Sequence, residues 1–367
     1  MSTVKEFSPL YKHAKNNKTT EWHVNVVRQS DSLYHIVSTS GYIDGKKTET
    51  IREVTKGTNI GRSNETTPEE QAIKEAQSLY DKKVNRQGYT KTKGKAVTEI
   101  IVMPMLAKEY HKNKKRINWP CFVQPKLDGV RAIIDSRGHI YSRTNRCIIG
   151  FGHIEEEASR LLNGRWYLDG ELFSTEIPFE EITGLCNRKE HDPVMKLMKF
   201  YCFDIFCTDN LDAPFHLRYE QLRKIVSNCD NIILVDTERC NNEDEMLKFH
   251  TRFVTEGYEG TIIRNTLGPY KLKYRSMDLQ KYKDFMDKEF PIVDFKEADN
   301  DKGCVMWICE DNDCRFTVTP EGTKERRKEL YKNGKQYIGK MLTVKYQELT
   351  KYGVPRFGTG VAIRDYE

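Results

Sequence analysis

The chain lacks any uninterrupted apolar run of about 18 residues, so no segment can cross a bilayer as a helix. Its first ten residues lack an apolar core, which argues against a secretory signal. Ten cysteines are present, yet no Cys-x-x-Cys pair occurs. Cys304, Cys309 and Cys314 recur every five residues among strand-like neighbours, and read as reduced core or turn residues rather than zinc ligands. A reducing, intracellular setting follows. No internal repeat at solenoid spacing is visible. What is present is 38% hydrophobic and 31% charged, too apolar for disorder, in 367 residues, enough for two to three domains.

The net charge of +6 is unevenly spread. Residues 1–98 hold 17 Lys and Arg against 11 Asp and Glu, which leaves 43 of each for the rest of the chain. A basic module beside a neutral one points to a polyanionic partner for the first. Within that module residues 21–29 alternate like a strand, residues 32–38 and 47–54 are further strands, and 41–45 is a turn. Thr67-Pro68-Glu69-Glu70 starts a helix running to about Arg86, with Ala72, Ile73, Ala76, Leu79 and Tyr80 as its buried face and Gly88 as its stop. A basic linker, residues 90–95, follows.

From Met103 onward, charged residues recur singly inside apolar runs. The first stretch is Phe-Val-Gln-Pro-Lys-Leu-Asp-Gly-Val-Arg, residues 122–131. It predicts strands over 121–124 and 131–135 joined by a tight Asp-Gly turn. Lys126 then sits at a strand end beside Asp128 and Arg131, where lost hydration would lower its pKa and make it a nucleophile. Tyr141 to Arg146 is a turn bearing Arg143 and Arg146. Residues 166–173 place Glu171 in an otherwise hydrophobic strand, where a carboxylate needs a ligand or cation. Residues 200–206 form an aromatic strand whose alternation puts Tyr201, Phe203 and Ile205 on one face. Glu259 opens a strand beside Gly260, with Arg264 five residues on. Lys271, Lys273 and Arg275 precede Lys281 and Lys283, two like charges on one strand face that want an anion between them. Beyond residue 285, strands over 291–297, 305–310, 314–319, 340–347 and 360–364, with a helix over 324–332, predict a small OB-type β-barrel.

Taken in order, Lys126-x-Asp128-Gly129-x-Arg131, Ser142-Arg143-Thr144, Asp169-Gly170-Glu171, Phe203-Asp204, Glu259-Gly260-x-x-x-Arg264 and Lys281-x-Lys283 resemble the motif series of the covalent nucleotidyltransferases. Met-Leu-Ala at 105–107, Leu-Asp-Gly-Glu-Leu-Phe at 168–173 and Ile-Pro-Phe-Glu-Glu-Ile at 177–182 bring the chain nearest to the small ATP-dependent DNA ligases. The resemblance covers about residues 103–367. RNA ligases and capping guanylyltransferases share the lysine and stand as the alternative. NAD-dependent ligases carry a four-cysteine zinc module that is not visible here. The N-terminal module resembles the WGR nucleic-acid-binding family in its strand-rich start, Asn59-Ile60-Gly61-Arg62, its late helix and its closing Gly88-Tyr89, without the Trp-Gly-Arg triplet.

These resemblances imply an α+β multidomain chain. A WGR-like domain would span 1–98. A nucleotidyltransferase core of ATP-grasp-like antiparallel sheets would span 99–286, and an OB-fold barrel 287–367. They imply sealing of 3′-OH/5′-phosphate nicks in duplex DNA by an intracellular monomer, in the cytoplasm or nucleus (a host's, if the chain is viral). Lys126 would carry AMP, with Asp128, Lys281 and Lys283 assisting. Gln124, Arg131, Glu171, Phe203, Glu259 and Arg364 would join Lys126, Lys281 and Lys283 around ATP. Glu259 and Asp128 would anchor Mg²⁺, or Mn²⁺ in its place. Arg143, Arg146, Arg264, Lys273 and Arg275 would touch nucleic acid.

Overall fold

The computed structural model describes residues 2–364, apart from 14–17, 62–63, 94–100, 163, 189, 300 and 351–352. Arg62, the last part of the predicted linker and the residues after Arg364 therefore lie outside the described residues. By its own contacts the chain divides into two units: Met1–Met246 with Ile263–Gln280, and Leu247–Ile262 with Lys281–Glu367.

The first unit opens with β1 (Ser2–Glu6), β2 (Leu10–His13), β3 (Thr19–Arg28), β4 (Tyr34–Tyr42) and β5 (Thr48–Val54), then α1 (Pro68–Gln87). The sheet runs β1-β3-β4-β5, with β2 also on β3. Alternation in β3 buries Trp22, Val24 and Val26, and α1 covers them with Ala72, Ala76 and Tyr80. The start of α1 forms as its sequence predicts. Thr67 Oγ1 accepts from the Glu70 amide while the Glu70 carboxylate accepts from the Thr67 amide, and Gly88 ends the helix at φ 70°.

Then come β6 (Leu106–Glu109), α2 (Tyr110–Asn113), β7 (Cys121–Lys126), β8 (Val130–Ile134), β9 (Ile140–Ser142), β10 (Cys147–Ile148), α3 (Gly152–Leu161), β11 (Trp166–Phe173), α4 (Phe179–Asn187), β12 (Lys199–Cys207), α5 (Phe215–Ile225), β13 (Ile232–Leu234), β14 (Glu238–Cys240), α6 (Glu243–Thr255), β15 (Gly260–Asn265) and β16 (Arg275–Tyr282). They build two sheets, β10-β9-β8-β11-β12-β13 and β14-β7-β15-β16-β6. The first sheet is mixed rather than antiparallel throughout, because β12 and β13 pair in parallel.

Two local expectations are corrected here. The strands flanking Asp128-Gly129 are not a hairpin, because β7 and β8 belong to different sheets. A two-residue hairpin of the Asn-Gly or Asp-Gly kind needs positive φ at both central residues, and neither Asp128 nor Gly129 has it. β7 is also buried on both faces, at Cys121, Val123, Gln124 and Pro125, as in a strand covered from two sides. In β12 the register against β11 slips at Phe203, since Asp169 faces Asp204 while Gly170 faces Cys202. This bulge resets the alternation, so Ile205 joins Phe200 and Cys202 in the apolar core and does not share a face with Phe203.

The second unit contains β17 (Met286–Ala298), β18 (Asp301–Asp311), β19 (Cys314–Pro320), α7 (Lys324–Lys332), β20 (Met341–Tyr346), the short pair β21 (Glu348–Leu349) and β22 (Pro355–Arg356), and β23 (Thr359–Arg364). β17-β18-β19-β23-β20 closes into a barrel around Phe290, Ile292, Val305, Trp307, Val318 and Val344. Closure leaves no open sheet edge. All ten cysteines of the chain are free thiols. Among the described residues no helix is long and apolar enough to cross a membrane, and no group of three or more His, Cys, Asp or Glu could hold a metal.

Candidate active site

Lys126 ends β7, partly buried, with its ammonium 3.4 Å from the Leu127 carbonyl, to which it donates. The chain then crosses to β8 against β11. Gly129 is needed for this crossing, because a Cβ there would lie 2.4 Å from the Leu172 carbonyl and 2.9 Å from the Glu171 side chain. The bare backbone lets the Gly129 amide donate to Glu171 Oε1 at 3.3 Å. Burial pushes the Glu171 carboxyl up from its ordinary range. The charges of Lys126 and Arg131 and the Gly129 amide pull it down, and the Asp128 charge pushes it up. Lys126, Asp128, Arg131 and Glu171 thus share one electrostatic neighbourhood.

Beneath them lies a buried ionic network. Asp169 and Asp204 are both 0% exposed. Arg131 grips Asp169 with two hydrogen bonds of 2.7 Å, and the Tyr270 hydroxyl donates to the same carboxylate at 2.7 Å. Burial opposes the Arg131 charge, yet Asp169 outweighs it and raises the guanidinium above its ordinary pKa. Asp204 accepts from Arg218 at 2.9 and 3.0 Å and from Arg264 at 2.8 Å. Burial lowers the Arg264 pKa, with Asp204 opposing and Arg131 and Arg218 adding to the fall.

Several predicted residues are therefore committed to the protein itself. Gln124 donates to the Phe203 carbonyl and to Thr237, and accepts from Arg264 at 2.7 Å. Phe203, 8% exposed, has the Arg131 guanidinium 4.5 Å from its ring centroid. Arg264 was expected to meet nucleic acid, but it is 2% exposed and bound to Asp204 and Gln124, so it presents no surface to DNA. The arginine was read as a nucleic-acid contact because nothing local in the sequence names its partner, sixty residues earlier. Asp169, Asp204, Arg218 and Tyr270 were missed. The available signal was an aspartate inside an apolar strand, which marks a buried ion pair as readily as it marks a ligand site.

Arg143 does stand exposed, on a tight turn closed by the Asn145 amide donating to the Ser142 carbonyl at 2.8 Å. Arg146 on the same turn donates to Asn187 and the Cys186 carbonyl. Lys273 and Arg275 are exposed, and donate to the Arg86 and Ala107 carbonyls. In the second unit Glu259 pairs with Lys283, which also donates to Gln347 at 2.9 Å. Arg364 donates to Thr343 at 2.8 Å and lies 3.3 Å from Glu289.

A lysine at a strand end above a two-sheet core, followed by a closed barrel, defines a nucleotidyltransferase with an OB-like domain. The family model for the ATP-dependent DNA ligase domain matches residues 104–283, and that for the DNA ligase OB-like domain matches 304–364. The DNA ligase of African swine fever virus (isolate Pig/Kenya/KEN-50/1950) is 31% identical over 98% of this chain and 94% of its own. The DNA ligase of enterobacteria phage T4 is 23% identical over 65% of this chain and 62% of its own. A Lig E DNA ligase structure shares the fold at a TM-score of 0.60, with 22% identity over 72% of this chain and all of its own. The chain belongs to the ATP-dependent DNA ligase family.

The raised Glu171 carboxyl carries a linkage consequence. A carboxyl that holds its proton more tightly when folded stabilises the fold below its unfolded pKa, and that contribution is lost as pH rises through the folded pKa. Glu171→Gln should remove this component. Urea unfolding from acid to neutral pH should show a shallower fall in stability with rising pH for the variant than for the parent. Identical slopes would refute the assignment.

Proposed function

We propose that Lys126 is the nucleophile with which this DNA ligase takes AMP from ATP. Its nitrogen attacks the α-phosphate and pyrophosphate leaves. AMP then passes to the 5′-phosphate of a nick, and the neighbouring 3′-hydroxyl displaces it to seal the strand. The observation that carries this reading is the convergence of Lys126, Arg131, the Gly129 amide and Glu171 at the end of β7. Glu171 is the candidate partner for the ribose and Phe203 for the adenine face. Arg131 and Gln124 contribute by fixing Phe203 and Asp169 rather than by reaching for substrate.

Lys281 and Lys283 suit charge neutralisation on the phosphates. Magnesium keeps several waters and shares its ligation with substrate phosphates, so one or two carboxylates suffice to hold it. Asp128 and Glu259 fit that requirement in kind, and the ion would supply further neutralisation of phosphate charge. Glu259 is already paired with Lys283, so it would hold the ion only by sharing its carboxylate with that lysine or releasing it.

Three separate apolar clusters support a division into domains 1–98, 99–286 and 287–367, and we read the chain as a monomer. The ten free thiols support work in a reducing compartment. The N-terminal module is a DNA-binding accessory. A groove of about 520 Å³ runs between α1 and the Arg143 turn, lined by Lys74, Lys82, Arg86 and Arg146 against the one acid Asp81. Such a groove suits a phosphate backbone and reads no sequence. The WGR resemblance agrees with this role.

Incubation with [α-³²P]ATP should label the protein, [α-³²P]GTP should not, and Lys126→Ala should abolish both labelling and sealing of a nicked DNA duplex. Label from GTP alone would make the chain a capping enzyme. Lys82→Gln and Arg86→Gln, both exposed positions, should each reduce the salt slope of nicked-duplex binding by about 0.9 while leaving lysine labelling intact. Unchanged slopes would remove the groove from the DNA interface.

A further inference from the structure

His250, on α6, plays no part in the motif series, yet it is 5% exposed and both its ring nitrogens are engaged. Nδ1 lies 3.0 Å from the Thr261 hydroxyl on β15, and Nε2 lies 2.8 Å from Asp284 Oδ2, two residues past the end of β16. An ionised carboxylate only accepts, so Nε2 carries the proton toward Asp284. The Tyr282 ring meets the imidazole edge-on at 4.5 Å between centroids. One side chain therefore ties the segment 259–261 to the segment 282–284.

Two other contacts join the same pair of segments. Glu259 and Lys283 form an ion pair. Gly260, at φ 153°, has a backbone position where a Cβ would come 2.4 Å from the Tyr282 carbonyl. The three links differ in kind. The glycine fixes the approach of the two backbones, and the ion pair can be exchanged for phosphate or metal when substrate arrives. The His250 bridge involves neither Glu259 nor Lys283, so it persists when that pair opens.

We propose that His250 is a positioning residue of the ligase reaction. Through Thr261 and Asp284 it holds the backbone of Glu259 and Lys283 in place while their side chains change partners. The inference rests on the reading of Glu259 and Lys283 as site residues. His250 itself touches no substrate. Its loss should slow the chemistry of lysine adenylation and leave ATP affinity little changed, because a misaimed lysine costs more in the transition state than in ground-state binding.

The test separates the two ring nitrogens. In His250→Asn the amide occupies the Nδ1 position and loses Asp284; in His250→Gln it reaches the Nε2 position and keeps Asp284. Single-turnover labelling of the full chain with [α-³²P]ATP should be slowed about tenfold in His250→Asn, as in Asp284→Ala, with KM for ATP unchanged. The double variant should be no slower than either single one, and His250→Gln should recover most of the rate. The Asp284 side chain is 65% exposed, so Asp284→Ala keeps the test valid even if a His250 variant fails to fold. Wild-type labelling rates in Asp284→Ala, or defects that multiply in the double variant, would overturn the proposal. A parent protein that takes no label from ATP would instead refute the Lys126 reading.

Discussion

Two aspartates with no access to water, Asp169 and Asp204, anchor the surroundings of Lys126 and Glu171. An unpaired buried carboxylate costs several kcal/mol, so each must be matched by cations in good geometry. Asp169 takes the Arg131 fork and the Tyr270 hydroxyl, and Asp204 takes Arg218 and Arg264. The partners come from β8, β15, α5 and the loop before β16. The network therefore joins segments from both sheets, and its worth lies more in fixing their relative position than in net stability.

The proposed chemistry depends on that fixing. Lys126 and Glu171 must face one another across two strands of different sheets, β7 and β11. Arg131 sits next to Glu171 in the β8–β11 register and is clamped by Asp169 two residues away. Gln124, two residues before the proposed nucleophile, is clamped by Arg264 and the Phe203 carbonyl. The side chains proposed to react are thus flanked by hydrogen-bonded, buried ones, which is the arrangement preorganised catalysis requires.

Much of this was legible in the sequence, and the gaps have physical causes. The α1 cap, the five barrel strands and the α7 helix are local patterns, and each formed where its residues predict. The position of Lys126 at a strand end was equally local. The Asp128-Gly129 turn was misjudged because the glycine serves a close approach to Leu172, a neighbour 43 residues later, and not a hairpin. The phase of β12 was misjudged because a bulge is set by the partner strand. Arg264 was misjudged and Asp204 passed over because a charge in an apolar strand looks alike whether its partner is DNA, metal or another buried residue. Pairing across 60 residues is a property of the fold.

The central claim is that the Asp169 carboxylate holds the Lys126–Glu171 neighbourhood together through Arg131 and Tyr270. The most direct measurement is urea unfolding of Asp169→Ala, paired with its labelling by ATP well below the unfolding midpoint. Removing one partner of a buried, hydrogen-bonded pair should lower stability by about 3–5 kcal/mol, and labelling should fall sharply while the protein is still folded. A variant that retains both parental stability and parental labelling would contradict the account.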